Sequence, residues 1–80
     1  MGAKSLRPKR LAEKLKRIRI DLNLSQNELI ERMGFTGAIF QGNISQYETG
    51  RREPPLPVLL AYSRLTKVGV DALIDDEIDI

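Results

Sequence analysis

The side chains that this 80-residue chain could bring to bear on a partner are charged ones, and their spacing is uneven. Residues 1–19 carry Lys4, Arg7, Lys9, Arg10, Lys14, Lys16, Arg17 and Arg19 against Glu13 alone. Residues 20–68 are balanced, and residues 69–80 carry Asp71, Asp75, Asp76, Glu77 and Asp79 with no cation. The formal net charge of +2 hides this polarity. A basic front end suits a polyanion, and the same polyanion would repel the acidic tail. The pattern also reads as a solvated basic helix followed by an acidic tail. Covalent and metal chemistry have no obvious carrier. With no Cys and no His there is no disulfide framework, no Cys/His zinc site and no thiol or imidazole catalyst. Ser, Thr, Asp, Glu, Lys and Tyr form no nucleophile–base constellation, and a domain this small hardly encloses a pocket. The expectation is a binding module with no enzymatic activity, no metal and no cofactor.

The elements that must position these groups are helical. Leu11, Leu15, Ile18 and Leu22 follow a 4-3-4 spacing that predicts one apolar stripe on a first helix. Pro8 suits its first turn, where a missing N–H costs nothing. After Asn23-Leu24 breaks the pattern, Ser25-x-x-Glu28 predicts a capping box that opens a short second helix. Leu29, Ile30 and Met33 form its inner face, and Gly34 ends it. The stretch from Gly34 to Gly42 holds three glycines and reads as a loop, with Phe35, Ile39 and Phe40 partly tucked into the core. A third helix turns Ile44 and Tyr47 inward and ends at Thr49-Gly50. Its start is open: Phe40 is a poor cap, while Asn43-x-x-Gln46 could form a capping box. Arg51-Arg52-Glu53-Pro54-Pro55 is a proline-stiffened turn. A fourth helix from about Pro57 carries Val58, Leu59, Tyr62 and Leu65, and a very short fifth around Asp71–Asp75 presents Leu73 and Ile74. One all-α domain over 1–80 is expected, with a core at about 8–75. The basic arm 1–7 and the acidic tail 76–80 are expected to be flexible. No apolar run approaches the ~18–20 residues of a membrane span, and no signal peptide is expected.

Two short helices joined by a turn, preceded by Leu24-Ser25-Gln26-x-x-Leu29 and ending in Ile44-Ser45-x-Tyr47-Glu48-x-Gly50-Arg51-Arg52-x-Pro54, carry a specific signal. With Arg19-Ile20-x-Leu22-x-Leu24 before them and Val70-Asp71-x-Leu73-Ile74 behind, the chain resembles the Cro/repressor-type, or XRE-like, helix-turn-helix family from about Leu11 to Ile74. The resemblance implies a compact five-helix bundle of the lambda-repressor-like type, bound to double-stranded operator DNA as a homodimer with helix three in the major groove. A helix fits that groove and meets base edges with its exposed N-terminal side chains. It also implies a cytoplasmic regulator of bacterial or phage type, associated with the nucleoid when bound. The chain departs from the family between Gly34 and Ile44. This step is about four residues longer than usual, roughly one helical turn. The excess either lengthens the turn or extends helix three. Gly37 and Gly42 favour the longer turn, because glycine costs ~1 kcal/mol inside a helix.

Carried residue by residue, the resemblance implies base contacts from Gln41, Asn43 and Gln46. Gln pairs bidentately with the N6/N7 edge of adenine, so Gln46 could carry sequence information; its competing role is the capping partner of Asn43. Gly42, aligned with another base-edge position, reads nothing and at most lets the backbone approach closely. Gln26, one residue past the Ser25 cap, is implied to meet a phosphate. Ser45, Thr49, Arg51 and Arg52 are further backbone contacts. Arg19 and Glu48 are implied to form a partly buried structural ion pair between helices one and three. The dimer surface is expected at Leu56, Val58, Ile74 and Ile78, with Ile80 nearby, which would turn the acidic tail away from DNA. The leading expectation is a transcriptional regulator, a repressor on a palindromic operator. The alternative is a protein-binding adaptor or antitoxin-type module on the same fold. With no second domain in view, no inducer site is expected, and control would come through protein level or a protein partner.

Overall fold

The computed structural model describes residues 7–80, and among them are five helices and no strand. They are α1 (Leu11–Asp21), α2 (Gln26–Met33), α3 (Gln41–Glu48), α4 (Leu56–Thr66) and α5 (Val70–Ile74). Lys4 lies outside the described residues, so Arg7 alone represents the expected basic arm. The all-α five-helix architecture is therefore the one expected, lengthened turn included. Each helix sends one fully buried side chain to a common centre: Leu15, Leu29, Ile44, Tyr62 and Leu73. Removing side chains of this size from water stabilises the bundle by roughly 1.5–3 kcal/mol apiece.

On α1 the apolar stripe holds for Leu11, Leu15 and Ile18, but Leu22 falls just beyond the helix and is 39% exposed. Lys14 takes a place on the buried face instead, at 2% exposure. Pro8 is not in the first turn, because α1 begins after Arg10. The cause lies at the other end of the chain. The Asp76 carboxylate accepts the N–H groups of Lys9 (2.9 Å) and Arg10 (3.0 Å), fixing the start of the helix and placing an anion at its positive end. Arg10 answers with its guanidinium, which donates to the Asp76 carbonyl and pairs with Asp79. Lys14 Nζ donates to the carbonyls of Ala72 and Asp75 at 2.8 Å each, closing the C-terminal end of α5. The 76–80 segment, expected to be loose, is thus folded back onto α1, with Ile80 packed against the core.

The second helix opens as the sequence predicts. Ser25 Oγ accepts the Glu28 N–H at 3.0 Å, and the Glu28 carboxylate accepts the Ser25 N–H at 2.8 Å. Those Ser25 bonds hold the Glu28 carboxyl below its ordinary range. Gly34 closes the helix at φ +80°, a left-handed conformation that costs a side-chain-bearing residue more. Met33 is only half-buried beside Leu29 and Ile30.

The extra residues form a longer turn, not an extra turn of helix. The Phe35 N–H donates to Ile30, and the Ala38 and Ile39 N–H groups both donate to Phe35, with Gly37 at φ +86° between them. Ile39 is buried and Phe35 half-buried, but Phe40 is turned outward and 63% exposed, contrary to expectation. The third helix begins at Gln41 despite the poor cap that Phe40 makes. Asn43 Oδ1 reaches back to accept the Phe40 N–H at 2.9 Å. This places Gly42 inside the first helical turn and removes the Asn43–Gln46 capping box, so Gln46 has no capping role.

Pro55 precedes α4 and Pro57 lies in its first turn, where proline is tolerated. Val58, Leu59 and Tyr62 face the core and Leu65 is half-buried. Leu73 of α5 is fully buried, whereas Ile74 is 43% exposed. Among the described residues no helix is long and apolar enough to cross a membrane.

Candidate nucleic-acid interface

The outer face of α3 follows from which of its residues the core claims. Ile44, Tyr47 and Glu48 are buried, which leaves Gln41, Gly42, Asn43, Ser45 and Gln46 on the remaining surface, followed by Thr49. What fixes this face in space is an ion pair. Arg19 Nε and Nη2 donate to the two Glu48 oxygens at 2.6 and 2.9 Å, and Nη1 donates to the Leu24 carbonyl at 3.0 Å. The side chains are 13% and 4% exposed. One guanidinium therefore joins α1, the α1–α2 turn and α3 in a planar two-pronged contact. The hydrogen bond to Glu48 raises the already high pKa of Arg19, so the cation does not titrate.

A second link runs from the start of α2 to the middle of α3. The Gln26 amide nitrogen donates to Ser45 Oγ at 3.1 Å and, less closely, to Glu48 Oε1 at 3.4 Å. The two helices of the motif are thus joined by Gln26–Ser45 as well as by apolar packing. Both residues were expected to meet a DNA backbone, and the structure brings them together. Gln26 would have to exchange Ser45 for a phosphate oxygen to act directly.

The remaining expected contacts sort by what their polar atoms are doing. Gln41 and Gln46 make no side-chain hydrogen bond among the described residues, so both amide atoms can face a base edge. Asn43 is different: its Oδ1 accepts the Phe40 N–H, which commits one lone pair to the start of α3 and leaves the second lone pair and the amide hydrogens for a partner. The Thr49 hydroxyl donates to the Ser45 carbonyl at 2.9 Å, so in this conformation it has no hydrogen for a phosphate oxygen. Arg51 and Arg52 are exposed, and their backbone N–H groups both donate to the Gln46 carbonyl at 3.0 and 3.3 Å. Gly50, at φ +77°, provides the reversal that makes this possible. The two guanidinium arms therefore leave from a fixed point beside α3.

The basic front end contributes less to this face than its charge suggests. Arg10, Lys14 and Arg19 are engaged within the molecule, Arg17 lies 3.7 Å from Asp21, and Arg7 meets the Gly50 carbonyl and Glu53. Composition could not reveal this, because the partners of Arg10 and Lys14 lie near the opposite end of the chain.

The expected dimer surface needs one correction. Val58 is 3% exposed and belongs to the core, because it lies on the same side of α4 as Tyr62. Leu56, at 78% exposure, and Ile74 line one groove together with Val70. Ile78 is half-buried.

Comparison with protein families matches residues 10–76 to a helix-turn-helix domain. No curated protein and no solved structure matches the chain.

Proposed function

Since the chain belongs to this helix-turn-helix domain family, we propose that it is a sequence-specific double-stranded DNA-binding regulator of transcription. The observation that carries the reading is the state of the α3 surface. Its two glutamine amides are unengaged, while the Arg19–Glu48 and Gln26–Ser45 links hold the helix that bears them. A rigid helix with free amide pairs is what major-groove readout requires. Gln41 and Gln46 read base edges, and Asn43 acts chiefly as the cap of α3. Arg51 and Arg52 bind flanking phosphates, with Ser45 and Gln26 as a positioning pair. Family membership points to binding, not catalysis.

The finer reading is a repressor that occupies a palindromic operator as a homodimer. A single motif covers few base pairs, and a two-fold pair on half-sites about 34 Å apart gains area and specificity together. The groove flanked by Leu56 and Ile74 is the self-association surface, and the whole chain acts as one domain at the nucleoid of a bacterial or phage-infected cell.

The test is selection from a randomised duplex pool, with affinities at two salt concentrations. We expect a two-fold-symmetric consensus and a log K against log salt slope of about −0.9 for each phosphate neutralised. Replacing Arg51 or Arg52 with Ala should reduce that slope by about one unit each. Absence of binding at low salt would reject the regulator in favour of a protein-docking adaptor.

A further inference from the structure

Two features at the leading end of α3 have no explanation within the protomer. Phe40 is 63% exposed although its backbone is held on both sides. Its N–H is bound by Asn43 Oδ1, its carbonyl accepts the N–H groups of Asn43 and Ile44, and the neighbouring Ile39 is buried. The other two large apolar residues of the turn, Phe35 and Ile39, are turned inward. The ring is therefore presented, not left over from a disordered loop. Gly42 lies in the first turn of α3, and a Cβ built there would meet nothing within 4 Å. Its φ is not positive, so neither space nor backbone conformation inside the molecule calls for glycine. A helix tolerates such a residue at a cost, and the open side faces away from the core.

We infer that Phe40 and Gly42 together form a seat for the 5-methyl group of a thymine in the major groove. The ring packs on the methyl, and the missing side chain at position 42 lets the helix come close enough for it to do so. Aromatic contact with that methyl is an established form of direct readout, since it is the apolar mark that distinguishes thymine in the groove. The inference rests on the DNA-binding reading above and adds a base class to it, supplied by a residue in the lengthened turn.

The experiment is a thymine-to-uracil scan of the selected site, read by equilibrium binding with the full chain, Phe40→Ala, Phe40→Leu and Gly42→Ala. Uracil keeps every hydrogen-bonding atom and removes only the methyl. We expect one thymine in each half-site whose replacement weakens the unsubstituted chain about fourfold, the worth of one buried methyl-sized group. Phe40→Ala should bind the thymine and uracil duplexes equally, and Phe40→Leu should keep part of the difference. Gly42→Ala should melt at the same or a higher temperature while binding the selected site less tightly, a combination that a merely structural glycine cannot give. If Phe40→Ala shows the same uracil sensitivity as the full chain, or leaves DNA binding unaltered, the seat does not exist and the regulator reading stands. If the pool yields no preferred sequence, both fall.

Discussion

The first and third helices invert the usual equation of charge with binding. In and just before α1 lie most of the chain's cations, yet the structure commits many of them internally: Arg10 to Asp79 and Glu13, Lys14 to two carbonyls of the α5 end, Arg19 to Glu48. Helix α3 carries a single charged residue, Glu48, and that one is buried. Its outer face nevertheless keeps two glutamines whose donors and acceptors are unengaged. What a surface can offer a partner is set by the atoms left over after folding. By that measure the sparsely charged helix is the richer one.

The largest effect is expected where the two helices are tied together. Glu48→Ala leaves Arg19 with an uncompensated charge in a site that exposes little of it. It should lower the unfolding free energy by about 3–5 kcal/mol in urea titration. A loss under ~1 kcal/mol, the worth of an exposed pair, would show that the link is ornamental. Next is Lys14→Met, which keeps the stem and removes the donor to Ala72 and Asp75. A loss of about 1.5–3 kcal/mol follows from removing charge-assisted hydrogen bonds at a buried helix end. If stability is unaltered, the cations of α1 are not structural and the contrast with α3 collapses. On the α3 side, Gln46→Ala should leave stability unchanged and weaken the selected site by about 1–3 kcal/mol relative to random duplex. Equal loss on both duplexes would remove its part in base readout.

The smallest effect is pH-dependent. The Lys9 and Arg10 N–H groups hold the Asp76 carboxyl below its usual range, and the Arg10 guanidinium does the same for Asp79. A lowered folded pKa means stabilisation that is complete above the ordinary value of about 4 and is lost as the pH falls through the folded value. Melting temperature should therefore fall more steeply with acid below pH ~4 in the full chain than in Asp76→Asn. Identical slopes would show that Asp76 does not titrate with folding.

How much of this was legible beforehand depends on the reach of each interaction. The Ser25–Glu28 box closes within four residues, so a local pattern displays it whole. The inward positions of Ile44 and Tyr47 follow from helical spacing, and the likeness in the motif placed Arg19 opposite Glu48. The start of α3 was less clear, because its cap acts backwards: Asn43 serves Phe40, a residue with no side-chain acceptor of its own. Lys14 was the least visible. It sits on the buried stripe between Leu11 and Leu15, and only carbonyls 58 and 61 residues away make that place tolerable. Val58 was misassigned because the likeness to the family placed it on the contact surface, although its four-residue step to Tyr62 puts it on the inward side of α4.

The bonds from Lys9 and Arg10 to Asp76, and from Lys14 to Ala72 and Asp75, give the fold a particular topology. The tail secures the beginning of α1, and α1 secures the end of α5, so the chain is buckled into a ring with neither clasp complete alone. Opening one clasp weakens the other, and amide protons in α1 and α5 should exchange with a common opening energy although they lie far apart in sequence. A bundle of five short helices gains by this, because α3 is itself tied to α1 through Arg19 and Glu48.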